Sequence, residues 1–70
     1  MNISYDREVD AAYISISNEK PQAAIIVADG IHIDITGENR IVGIEILDAS
    51  KKLSVKSLFT VEFDPELAET

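Results

Sequence analysis

The chain carries a single histidine, His32, and no cysteine. Asp34 follows two residues later, so an extended backbone through this segment points both side chains to one face. Imidazole exchanges a proton near neutral pH and offers a lone-pair nitrogen. A histidine among carboxylates is therefore the constellation that binds a divalent metal or acts as a general base. The strand pairing derived below sets Glu45 opposite His32, which completes a candidate metal set of His32, Glu45 and Asp34. Ligand count weighs against it, because one histidine without a thiolate is thin for a transition metal. A cross-strand His–Glu pair that stabilises a sheet by a few tenths of a kcal/mol, roughly, is the plainer reading. No cofactor is expected.

Asp6, Glu8 and Asp10 gather in one short loop and resemble a hard-cation cluster, but the twelve-residue ligand pattern and central glycine of a calcium loop are missing. Carboxylates that start a turn or guard an edge strand account for them more simply. Tyr5 and Tyr13 have no basic residues around them and no RNA-binding sheet motif, which removes a nucleic-acid stacking role. The serines lie in no glycine elbow and no Ser-x-x-Lys pattern. Gly30, Gly37 and Gly43 are isolated, so no phosphate-cradling loop exists. Gly43, inside an apolar run, points to a bulge or a close approach.

The elements that must position these residues read as strands. Ala12, Ile14 and Ile16 alternate with Ala11, Tyr13, Ser15 and Ser17, and Ile31, Ile33 and Ile35 alternate with His32, Asp34 and Thr36. Ala23 to Ala28 and Ile41 to Leu47 are apolar runs rich in β-branched residues, which favours strand over helix. Asn2 to Tyr5 adds an edge strand with Ser4 pointing away from the apolar face.

Turn chemistry predicts the pairing. Asp29-Gly30 is a hairpin signal because glycine supplies the positive φ of a primed turn. A two-residue loop there sets Ala28 opposite Ile31, Val27 opposite His32 and Ile26 opposite Ile33. The loop Gly37 to Arg40 sets Ile35 opposite Val42, Ile33 opposite Ile44, His32 opposite Glu45 and Asp34 opposite Gly43. The loop Asn18 to Gln22 sets Ile16 opposite Ala24 and Ile14 opposite Ile26. One face then collects Ala12, Ile14, Ile16, Ala24, Ile26, Ala28, Ile31, Ile33, Ile35, Val42, Ile44 and Ile46. A one-residue slip would mix the faces. The other face holds Tyr13, packed on Val27, with His32, Asp34, Glu45 and Leu47.

The expected fold is α+β and mainly β: a four-stranded antiparallel meander with one face covered by a short C-terminal helix or tail. One domain occupies residues 1–70, with the meander in 2–50, a helical or extended arm in 51–63 and a frayed tail in 64–70. Asp48 or Ser50 caps a helical turn at Ala49 to Lys52, residues 54–60 are helical, and 61–63 are extended. Tyr13, Val27, Leu47, Leu58, Phe59 and Phe63 form the candidate interaction surface.

With 70 residues and no cysteine, neither a large core nor disulfides stabilise the domain. Self-association, most simply as a homodimer, is expected to complete it. The net charge of −7 repels phosphate backbones and anionic membrane surfaces, which argues against nucleic-acid and membrane partners. A basic protein partner remains compatible. No apolar run approaches the roughly 20 residues that span a bilayer, and the start lacks an export signal. A cytoplasmic protein is expected.

Tyr5-Asp6 with the run Asp10 to Ile16, and the later run Gly43 to Ser50, resemble the opening and closing motifs of the small prokaryotic proteins grouped as domain of unknown function 2283. The resemblance spans residues 2–50 and departs from the pattern at Ala12, where leucine is usual. It implies a compact, mainly β domain and brings no activity, catalytic residue or binding residue. The reading is therefore a non-enzymatic interaction or oligomerisation module, in one version an antitoxin-like neutraliser of a basic partner. The alternative is a small metal-binding protein or metal-dependent enzyme using His32, Glu45 and Asp34.

Overall fold

The structure is a computed structural model that describes residues 1–60. Five strands, β1 (Asn2–Asp6), β2 (Ala11–Ser15), β3 (Ala23–Ala28), β4 (Ile31–Ile35) and β5 (Ile41–Leu47), precede two short helices, α1 (Ala49–Lys52) and α2 (Val55–Leu58). All pairings are antiparallel and the sheet order is β1-β2-β5-β4-β3. Among the described residues no helix is long and apolar enough to cross a membrane.

The expectation of four strands is corrected to five, and that of a simple meander to a Greek-key order. β3, β4 and β5 form a meander, but β5 then lies beside β2, and β2 never touches β3. The segment after β2 is a crossover, not a hairpin loop. Ile16 and Ser17 donate their N–H groups to the Val42 carbonyl at 2.8 and 3.0 Å, and Gln22 N–H donates to Ile35 O at 2.8 Å. Arg40 pairs with Glu19 at 3.0 Å. These bonds carry the chain past the ends of β5 and β4 and deliver β3 to the far edge. The expected pairs of Ile16 with Ala24 and Ile14 with Ile26 are therefore absent.

β5 is the central strand of the sheet and the longest of the five, and pairing on both sides leaves Val42, Gly43 and Ile46 buried. Its pairing with β2 sets Ala12 against Ile46 and Ile14 against Ile44. β1 adds Ile3 against Ile14 and Tyr5 against Ala12, so Ser4 does point away. Ile33 faces Ile44, His32 faces Glu45 and Asp34 faces Gly43, as the turn lengths predict. Beyond Asp34 the register shifts and Ile35 pairs with Ile41 instead of Val42.

The β3–β4 hairpin keeps Ala28 opposite Ile31, yet a bulge at Val27 moves the rest by one residue. His32 lies opposite Ile26, and Ile33 opposite Ile25. The slip turns β3 over. Ala23 and Ile25 lie on the apolar face, and Ala24 and Ile26 on the mixed face, the reverse of the expectation.

Among the described residues, the apolar face is covered on one half only. The buried cluster is Ala12, Ile46, Ala49 and Leu58, with Ile3, Tyr5, Ile14, Ile44 and Leu53 packed against it. Every member comes from β1, β2, β5 or the helical segment. Ala12, Ala49 and Leu58 share that cluster, which joins the helical segment to β2. All six residues of β3 are exposed, and β4 is intermediate throughout. The expected helical turn at Ala49 to Lys52 is present. Helix in the following segment is confined to Val55–Leu58, and the extended segment and tail expected at 61–70 lie outside the described residues.

Candidate functional site

Two polar clusters and one apolar edge emerge from this topology. On the mixed face, Tyr13, Glu45 and His32 form a row across β2, β5 and β4, with Ser15, Gly43 and Asp34 in the next row. Gly43 has no side chain, so the Tyr13 ring leans across it and the phenol donates to Asp34 Oδ2 at 2.9 Å. A methyl group at Gly43 would overlap the phenol oxygen of Tyr13 and lie 3.0 Å from the Ile14 carbonyl oxygen. Burial, the hydrogen bond to Asp34, and the negative charges of Asp34 and Glu45 all push the Tyr13 phenol above its ordinary value. Near neutral pH Tyr13 is therefore a proton donor held in place, not a base.

The candidate metal set divides. His32 Nδ1 lies 3.4 Å from Glu45 Oε1, while Asp34 is engaged by Tyr13. Among the described residues no group of three potential ligands converges on a point. The His32–Glu45 contact is half-exposed and matches the cross-strand pair, whose contribution is small.

The second cluster centres on Asp10. Tyr5 donates its hydroxyl to Asp10 Oδ1 at 2.6 Å. Ser50 donates its N–H to Oδ1 at 3.1 Å and its hydroxyl to Oδ2 at 2.7 Å. Ala49 N–H donates to the Asp10 carbonyl at 2.9 Å. One residue thus ties the start of β2 to the end of β5 and caps α1 from outside the helix. Neither Asp48 nor Ser50 caps α1 with its own side chain: Asp48 sits at φ 51° with no side-chain cap bond. The bonds from Tyr5 and Ser50 hold the Asp10 carboxyl below its usual range. The same bond, with burial and the Asp10 charge, raises the Tyr5 phenol.

The loop carboxylates have separate tasks. Asp6 accepts the Glu8 N–H at 2.9 Å, a local turn bond, whereas Asp10 faces Ser50. An open depression of about 610 Å³ between this loop, Tyr13 and Glu45 is lined by Arg7 as well as by Asp6 and Glu8. Its charge is mixed.

The expected interaction residues scatter. Val27, Leu47 and Phe59 are exposed. Leu58 is part of the core and is not a surface residue. Tyr13 does not pack on Val27, because β5 and β4 lie between their strands. Phe63 lies outside the described residues. What the residue pattern missed is the edge itself: Ile25, Ile26 and Val27 are 47, 71 and 53% exposed. The signal was available, since a strand apolar on both faces without alternation is one that no amphipathic position in the sheet explains.

A family model described as "Protein of unknown function (DUF2283)" matches residues 2–50. Neither the curated proteins nor the solved structures yield a match.

Proposed function

The chain belongs to this family of proteins of unknown function, and from that premise we propose that it acts as a non-enzymatic interaction module that works through self-association. The observation that carries this reading is that, among the described residues, the sheet is covered on one half only. The helices pack on β1, β2 and β5, while β3 remains exposed along its whole length. A chain of 70 residues without cysteine gains most from burying that half against a partner. Neither polar cluster competes as a reaction centre. The donors and acceptors around Asp10 bond one another, and Tyr13 and Asp34 do the same.

A second copy is the simplest partner. The net charge of −7 argues against nucleic acid or an anionic membrane and leaves a basic protein compatible; a second copy carries the same charge and would have to meet this one at an uncharged surface, which the strand β3 offers. Sedimentation equilibrium of the full chain from micromolar to millimolar concentration tests the reading. A mass that rises to the dimer supports it, and a monomer throughout that range overturns it.

A further inference from the structure

We propose that β3 pairs antiparallel with β3 of a second copy of this chain, with Lys20 of each copy meeting Asp29 of the other. This inference rests on the self-association reading and names the surface that carries it. A strand edge offers a row of unpaired N–H and C=O groups, and chains that remain monomeric blunt such edges with charge or proline inside the strand. The two edges of this sheet differ in that respect. β1 contains Asp6, Ser4 and Asn2 and alternates between exposed and half-buried residues. β3 is Ala-Ala-Ile-Ile-Val-Ala, with no charge and no proline, exposed throughout. The bulge at Val27 falls at the hairpin end, so Ala23 to Ile26 keep a regular register with β4 and present a straight edge.

Charge selects both the occupant and its direction. Lys20 precedes β3 and Asp29 follows it; both are exposed, and neither makes an ion pair among the described residues. Antiparallel self-pairing brings the Lys20 end of each strand to the Asp29 end of the other, twice per dimer. Parallel pairing would set like charges together at both ends. A two-fold axis perpendicular to the sheet also keeps the two apolar faces on one side. Ile25 then adjoins its own copy, and the uncovered halves of both sheets merge.

The test is sedimentation equilibrium of the full chain and four variants in about 0.15 M salt, where charges beyond roughly 8 Å are screened. The variants are Lys20→Asp, Asp29→Lys, the double exchange, and Ile26→Lys, with circular dichroism checking the fold of each. Each single exchange replaces two attractive pairs by two repulsive ones, and weakens dimerisation roughly tenfold. The double exchange restores the wild-type constant. Ile26→Lys, at a side chain that the single subunit already leaves to solvent, abolishes the dimer. A wild-type dimer that is indifferent to both single exchanges, or to Ile26→Lys, overturns the β3 assignment and leaves self-association standing. A wild-type monomer at every concentration overturns both. Should Asp29→Lys fail to fold, Lys20→Asp and Ile26→Lys still decide the matter.

Discussion

Gly43→Ala isolates the one place where a missing side chain organises the mixed face. The added methyl would overlap the Tyr13 phenol and sit 3.0 Å from the Ile14 carbonyl oxygen. Backbone cannot yield as readily as a side chain, so Tyr13 swings out. It thereby gives up its bond to Asp34, 2.9 Å long in the native arrangement. Overpacking costs about 1–3 kcal/mol, and losing a hydrogen bond to a charged acceptor about 1.5–3 kcal/mol. The two are alternatives more than a sum, because the swing relieves the overlap. Replacing glycine in a strand returns roughly 0.5–1 kcal/mol of backbone entropy. The net is a destabilisation of about 2 kcal/mol, or a fall in Tm of roughly 10 °C for a domain of this size. Chemical denaturation at one fixed protein concentration measures it, since self-association would otherwise shift the midpoint. The decisive comparison is the same substitution in a Tyr13→Ala background. With the ring gone, only the approach to the Ile14 carbonyl remains, so most of the penalty disappears and the coupling is on the order of 1–2 kcal/mol. An equal penalty in both backgrounds would refute the claim that the tyrosine is what the glycine accommodates.

Two further outcomes follow from the core and the Asp10 cluster. Because bonds from Tyr5 and Ser50 hold the folded-state Asp10 carboxyl below its unfolded value, its contribution is present above the unfolded pKa and lost as pH falls through the folded one. Thermal melts from pH 6 down to pH 2 are therefore expected to fall more steeply for wild type than for Asp10→Asn. The variant itself melts roughly 5 °C lower at pH 6 through its weakened cap, and parallel acid profiles would remove Asp10 from this role. Leu58→Ala, at the edge of the buried cluster, costs about 2–3 kcal/mol and increases amide exchange across α2 first; uniform exchange across the sheet would show that α2 does not cap the core.

The strands and three of the pairings are legible in the residues because alternation and turn chemistry are local. Ile33 against Ile44 and His32 against Glu45 follow from the length of one hairpin loop, and the structure has both. Two features escape local reasoning. The bulge at Val27 adds a residue that no turn rule counts, because Asp29-Gly30 is satisfied either way. The Greek-key order rests on the pairing of β2 with β5, strands roughly 30 positions apart, and a five-residue loop such as Asn18 to Gln22 looks the same whether it closes a hairpin or crosses strand ends. The metal set failed to converge for a related reason. His32, Glu45 and Asp34 are neighbours in the register, but a glycine one strand away let Tyr13 reach Asp34 first.

The position of Asp10 also explains why the residues that carry the family resemblance fall in two separated runs. The first supplies Tyr5 and Asp10, and the second supplies Ala49 and Ser50, with β5 leading into them. Between them these residues bond the residue before β2 to the start of α1 just after β5. This latch adds to the β2–β5 ladder at the end where α1 leaves the sheet and the chain turns onto the apolar face. The two runs thus meet in one hydrogen-bonded cluster beside the β2–β5 ladder. The latch lies on the β1–β2–β5 half, and β3, the strand farthest from Asp10 in the sheet order, is the edge that the proposed self-association uses.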